Sequence, residues 1–311
     1  MLTHKNIIPP YLICFHGCSA DKAAYIKHFG FPPSSGGNDW LSSGVYFWQD
    51  DFGLAHKWAE KRIEEDKKRR EKESKKRSPE PSKPTKLSQA LDEFHLIKGE
   101  IFQEEMDKPI VLCSIIKVGN ILDFCDSDSS KMLKNTYDLL LKRAKKDIDN
   151  ISQHLKQLRK RGEDLTELFR FVQPEDMLPK NEGESHPLDD MVIRTLVKKI
   201  DQLHKGAFLK LDSEPPKIQM LRGFFFEGKS AFGGSAILKN SHIQIAVIKK
   251  TKFESDRALG IMDTFELSHN ALKKACDSYK LEYIDGCVMR EYEIPKILME
   301  KYAFVKQRLG G

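Results

Sequence analysis

Polar side chains that could orient a ligand and move a proton stand beside glycines or on strand faces of this sequence. The apolar run YLICF leads directly into His16-Gly17, and a second apolar run, Gly44-Val45-Tyr46-Phe47-Trp48, follows about thirty residues later. Glycine matters at both places because a ligand must approach the backbone closely. A third segment reads Ser241-His242-Ile243-Gln244-Ile245-Ala246-Val247. Strand alternation puts His242, Gln244 and Ala246 on one face and the apolar row Ile243, Ile245 and Val247 on the other, an arrangement that points to a cleft. Glu227 follows Arg222-Gly223-Phe224-Phe225-Phe226 and could reach the same cleft from the loop side. It is the first candidate for a general base, or equally an ordinary loop residue. Each motif alone has a plain structural reading: a His-Gly is usually a strand end, a GVYF is usually core sheet, and a polar pair can simply mark an edge strand.

Order and context add to the individual motifs. The segment ICFHGCSADKAAYIKHFGFPPSSGGNDWLSSGVYFWQDDFGLAHKWAEKR resembles the NAD-binding half of an ADP-ribosyltransferase of the poly-ADP-ribose polymerase and diphtheria-toxin type. The resemblance implies that His16 with Gly17 grips the nicotinamide ribose, and that Tyr46, after Gly44, sets its ring against the nicotinamide. PIVLCSIIKVGNILDF and RGFFFEGKSAFGGSAILKNSHIQIAV resemble a further strand of the polymerases and their acceptor-side loop with the strand that carries the third catalytic position. Matching motifs cover roughly residues 11–60, 108–124 and 221–253. The pairing of WLSSGVYFW with SHIQIAV is closer still to bacterial proteins of unassigned role.

Cleaving the nicotinamide glycosidic bond needs little covalent help, because the positively charged base is already a good leaving group. The demands are positional and electrostatic. The polymerases carry a glutamate at the third position; here it is assigned to Gln244, with His242 beside it. A glutamine can bond a ribose hydroxyl but cannot take a proton, which disfavours polymer synthesis and leaves single transfer or NAD hydrolysis. Trp40 and Trp48 flank the Tyr46 strand and could line the nicotinamide pocket, although core packing is the better fit. Arg222 could bind a diphosphate, and Asp39 could cap a turn.

Six cysteines (Cys14, Cys18, Cys113, Cys125, Cys276, Cys287) lack CxxC spacing. No zinc site is expected, and free thiols in a reducing cytoplasm fit better. No run of eighteen apolar residues appears and no secretory leader is evident, so a cytoplasmic chain without a membrane span is expected. The net charge is +6 over 311 residues, and residues 60–86 hold twelve Lys or Arg against seven Asp or Glu. Such a run is most often a solvated helix or a disordered insert. The alternative is an electrostatic handle for a polyanion, without aromatics for base stacking.

Periodicity predicts strands at 11–15, 45–48, 109–118, 222–226 and 242–249, and helices at 23–29, from about 50 into the charged run, at 130–161, 188–205, 264–279 and 292–307, with a short strand near 283–289. The loop around Gly36-Gly37 reads as turn-rich. Residues 1–255 are expected to form one ADP-ribosyltransferase-like domain, with a charged insert at 61–88 and a helical insertion at 130–205, and 256–311 a C-terminal α/β appendage. The fold class is α+β: a split, mostly antiparallel sheet pair clasping NAD.

The function this implies is NAD-dependent mono-ADP-ribosyl transfer to a macromolecule, nucleic acid being slightly favoured over protein because of basic stretches at 60–86 and 142–160. NAD is the substrate and no metal is required. By analogy the chain could act as a toxin or in antiviral defence, with an inhibitory partner protein. The competing readings are a binding module for NAD, ADP-ribose or nucleic acid, and an NAD hydrolase.

Overall fold

The structure is a computed structural model that describes residues 8–34, 41, 44–74, 85–160, 187–208, 217–226, 241–248, 254–281 and 293–310. The chain begins with β1 (Tyr11–Ser19), whose last residue caps α1 (Ala20–Phe29): Ser19 Oγ accepts from the Lys22 amide, and Gly30, at φ 78°, ends the helix. After β2 (Val45–Gln49) a single helix, α2 (Phe52–Ser74), carries the chain into the charged run. The helices α3 (Lys86–Lys98) and α4 (Gln103–Met106) precede β3 (Pro109–Lys117) and the short β4 (Ile121–Asp123). Two long helices follow, α5 (Ser127–Lys160) and α6 (Pro187–Phe208), then β5 (Met220–Phe226) and β6 (Ser241–Val247). The chain closes with β7 (Ile261–Glu266), α7 (His269–Tyr279) and α8 (Lys296–Arg308).

The strands form one mixed seven-stranded sheet in the order β4-β5-β6-β2-β1-β3-β7, with β4 and β5 parallel and every other pair antiparallel. The class is α+β. The expected pair of sheets is thus a single sheet, because β1 and β2 still meet, although at only two positions, Cys14↔Gln49 and Phe15↔Trp48.

Both faces of the sheet are covered. One face holds Leu12, Cys14, Phe47, Leu112, Ile245 and Val247 under α1, α3 and α8. The other face is divided. Phe15, Trp48, Val111 and Cys113 pack under α2 and α7, and Leu122, Leu221 and Ala246 pack under α6. At about 1.5–3 kcal/mol for each fully buried large apolar side chain, these layers supply the main driving force. β3 is apolar along both faces and buried from Ile110 to Ile116, as its sequence predicts.

Two expectations change. Residues 261–266, inside a stretch read partly as helix, form β7 on the edge of β3, and α7 starts only at His269, capped by Ser268. The pairing register with β3 outweighs the helical propensity of a short segment. The C-terminal residues also belong to the main body: β7 extends the sheet, and Leu298, Tyr302 and Ile294 complete the core under α1. The strand expected near 283–289 lies outside the described residues. Among the described residues no helix is long and apolar enough to cross a membrane.

Candidate active site

His16 lies where the sheet parts. β1 pairs with β3 from Tyr11 to Ser19, and β2 pairs with β6 over its whole length, but β1 and β2 separate after Phe15. In place of a ladder bond, the His16 ring reaches across: its Nδ1 lies 2.8 Å from the Tyr46 carbonyl oxygen. A carbonyl only accepts, so Nδ1 carries the proton and Nε2 keeps its lone pair. That Nε2 is sealed from solvent and has no hydrogen-bond partner among the described residues. The ring stands edge-on to Phe31, centroids 5.2 Å apart, and tilted against Phe47 at 5.7 Å. Burial and the nearby Lys22 ammonium push its pKa from 6.5 down to about 4, against the opposing pull of the Tyr46 carbonyl, so the imidazole is neutral at pH 7.

The two glycines are required, but by the chain itself. A Cβ on Gly17 would stand 1.8 Å from the Ala55 carbonyl oxygen and 3.2 Å from Ala59 Cβ, and one on Gly44 would stand 2.6 Å from the Val247 carbonyl oxygen. The close neighbour expected to be a ligand is therefore α2 at Gly17 and the end of β6 at Gly44.

Tyr46 projects to the opposite face from His16. It packs with Leu41 and Ile248 above Ala246, and its Oη accepts from the Leu41 amide at 3.0 Å. Trp48, two residues on, is 2% exposed and packed with Phe15, Leu54 and Ala55. Its ring meets Trp58 edge-on at 6.0 Å. Trp48 is a core residue, the plainer of its two sequence readings.

Gln244 and His242 share the Tyr46 and Trp48 face, as alternation predicts. Gln244 is 4% exposed and sits between Trp48 on β2 and Gly223 on β5. His242 Nδ1 is bonded to the Asp51 carboxylate, and its ring lies 6.3 Å from Trp48, nearly perpendicular. Asp51 stands at the start of α2, where its Oδ1 accepts from the Leu54 amide at 2.8 Å. In the sequence Asp51 marks only the start of a helix. Its partner is 191 residues away, and no local pattern links the two.

Arg222 is occupied. Its Nη1 donates to Asp123 Oδ2 at 2.7 Å and its Nε to Gln49 Oε1 at 3.0 Å, tying β5 to β4 and β2 in a buried position. A diphosphate role is not what this geometry serves. Next to it Asp50 adopts a left-handed φ of 54°, and burial raises its carboxyl pKa, partly offset by Gln49 and Arg222. Glu227, Trp40, Asp39, Gly36 and Gly37 lie outside the described residues.

The structure thus gathers Tyr46, Trp48, Gln244 and His242 on one face of adjacent strands, adds Asp51, and ties His16 to Tyr46 through the backbone from the other face. The five described cysteines are free, and among the described residues no group of three or more His, Cys, Asp or Glu converges as metal ligands. Comparison with protein-family models, curated proteins and solved structures finds no match to this chain.

Proposed function

We propose that this protein is an NAD-dependent mono-ADP-ribosyltransferase, which breaks the nicotinamide–ribose bond and passes ADP-ribose to a macromolecular acceptor. The observation that carries this reading is the placement of the three sequence positions. His16 on β1, Tyr46 on β2 and Gln244 on β6 occupy three consecutive central strands, and the sheet opens between the first two just where His16 stands. The split ADP-ribosyltransferase-like core expected from the motifs is consistent with that opening. A neutral, buried Nε2 with an unused lone pair also suits a ribose hydroxyl, which would donate to it.

Along α2 the cations have acidic neighbours one turn away, as in Arg62–Glu65, Lys68–Glu64 and Arg69–Asp66. Exposed pairs of this kind reduce the field that α2 offers to phosphates. Lys142, Arg143 and Lys146 on α5 and Lys198 on α6 are exposed and form a second basic stretch, which supports nucleic acid ahead of protein as acceptor. A cytoplasmic toxin or defence role, with an inhibitory partner, rests on analogy.

The test is nicotinamide release from NAD by the purified protein, alone and with RNA, DNA or protein acceptors, beside Tyr46→Ala and Gln244→Ala. The reading expects release, with radiolabel from the adenylate moiety appearing on one acceptor class and weakened in both variants. Free ADP-ribose without labelled acceptor would make the protein a hydrolase. NAD or ADP-ribose binding without any release would make it a binding module.

A further inference from the structure

The third position presents a difficulty that the rest of the molecule answers. Gln244 cannot accept a proton, yet a hydroxyl acceptor attacking the ribose must lose one. Two residues along β6, on the same face and about 7 Å further by strand geometry, His242 makes its Nδ1 contact with the Asp51 carboxylate. The two side chains remain 19% and 28% exposed, so the pair is neither sealed in the core nor free in solvent. The two Asp51 oxygens have separate tasks: Oδ1 accepts from the Leu54 amide and fixes the carboxylate at the start of α2, while Oδ2 faces His242. Trp48 borders the ring on its inner side. A carboxylate anchored by a helix end and bonded to Nδ1 holds the imidazole in the tautomer whose Nε2 is a proton acceptor.

We propose that His242, held by Asp51, is the general base of this site and does the work a carboxylate at position 244 would otherwise do. The step rests on the transferase reading above. The C1′–N bond of NAD breaks and its electron pair leaves on nicotinamide, which departs neutral. A lone pair of the acceptor hydroxyl forms the new O–C1′ bond, and the hydroxyl proton passes to His242 Nε2. The resulting imidazolium stands beside the Asp51 carboxylate and later releases the proton to solvent. His242 is the catalytic residue in this scheme, Asp51 a positioning residue, and Gln244 a hydrogen-bonding neighbour.

The experiment measures kcat and KM for NAD with the best acceptor found for the wild-type protein, in His242→Ala and Asp51→Asn, with and without millimolar imidazole. Asparagine caps a helix about as well as aspartate, so Asp51→Asn keeps the anchor of α2, removes the charge and sets an NH2 donor in place of the oxygen that faces His242 Nδ1. The expected result for His242→Ala is a loss in kcat of about 100-fold or more, with KM for NAD within about threefold and partial rescue by imidazole. For Asp51→Asn it is a loss in kcat of about tenfold or more, again without a change in KM, a result that decides the matter if His242→Ala fails to fold. A wild type that turns over and variants that match it, or that change only KM, would overturn the dyad and leave the transferase standing. A wild type that binds NAD and releases no nicotinamide with any acceptor would overturn both.

Discussion

The His16 imidazole is held neutral well below the pH at which a free histidine titrates, and that has a measurable cost on acidification. Its pKa falls from 6.5 to about 4 because the ring is buried, with Lys22 adding to the effect. Between those two values the unfolded chain binds a proton at this position and the native chain does not, so stability falls as pH falls through that window. With one pH unit worth about 1.4 kcal/mol, His16 alone removes about 2 kcal/mol between pH 7 and pH 5 and about 3 kcal/mol by pH 4, where the loss levels off. Nothing is lost at this site above pH 7.

The perturbation that isolates the effect is His16→Gln, which keeps an N–H to donate to the Tyr46 carbonyl and does not titrate. Urea unfolding of both proteins at pH 7 and pH 5 gives a double difference in which all other ionisable groups cancel, and its expected value is about 2 kcal/mol. A companion measurement follows the imidazole carbons of ¹³C-histidine-labelled protein with pH. The His16 signal, assigned by its disappearance in His16→Gln, should stay in the neutral form down to about pH 5. A His16 signal titrating near 6.5, or identical pH dependence in the two proteins, would refute the sealed neutral imidazole and with it the unused Nε2 acceptor.

The glycines give a steric prediction: Gly17→Ala, whose Cβ meets main-chain oxygen at 1.8 Å, should cost about 3 kcal/mol or more and lower the melting temperature further than Gly44→Ala, at 2.6 Å. The buried Lys301 ammonium, 2.7 Å from Asp21 Oδ1, shares that carboxylate with the Tyr302 hydroxyl. Asp21→Ala should therefore destabilise by about 3–5 kcal/mol and more than Lys301→Met, because it leaves the less exposed partner unpaired; equal or reversed losses in urea unfolding would contradict this. Arg222→Lys keeps a charge for Asp123 but cannot also serve Gln49, and should lose about 1–2 kcal/mol of stability. Unchanged unfolding with weakened NAD affinity would instead return Arg222 to the ligand.

Much of the sheet was legible in the sequence because its strands carry strong local signals. The β-branched run of β3 and the alternation of β6 need no partner to be read, and alternation correctly set His242 and Gln244 on one face. The strand β7 escaped because Met262, Asp263 and Thr264 give no alternating apolar pattern, and its state is decided by β3, about 150 residues earlier. Gly17 and Gly44 were legible as points of close approach, but a glycine does not reveal what approaches it. Asp51 shows the same limit in the site. Its type and its place before a helix mark a cap, and only the sheet order, which lays β6 beside β2, supplies His242.

The parting of β1 from β2 follows from how each strand is held. Gly17 lets β1 lie directly against α2, and nine consecutive pairings bind it to β3. Gly44 lets β2 come in against the end of β6, to which all five of its residues are paired. Each strand is thus committed to its outer neighbour, and two residue pairs, Cys14↔Gln49 and Phe15↔Trp48, join them to each other. Beyond Phe15 the described contact that crosses the seam between them in hydrogen bonding is His16 Nδ1 to the Tyr46 carbonyl. On the transferase reading this is what a substrate needs: a ribose entering the seam displaces or extends a single side-chain bond and breaks no ladder. A sequence that filled the seam with a paired apolar residue at position 16 would gain stability and lose the entrance.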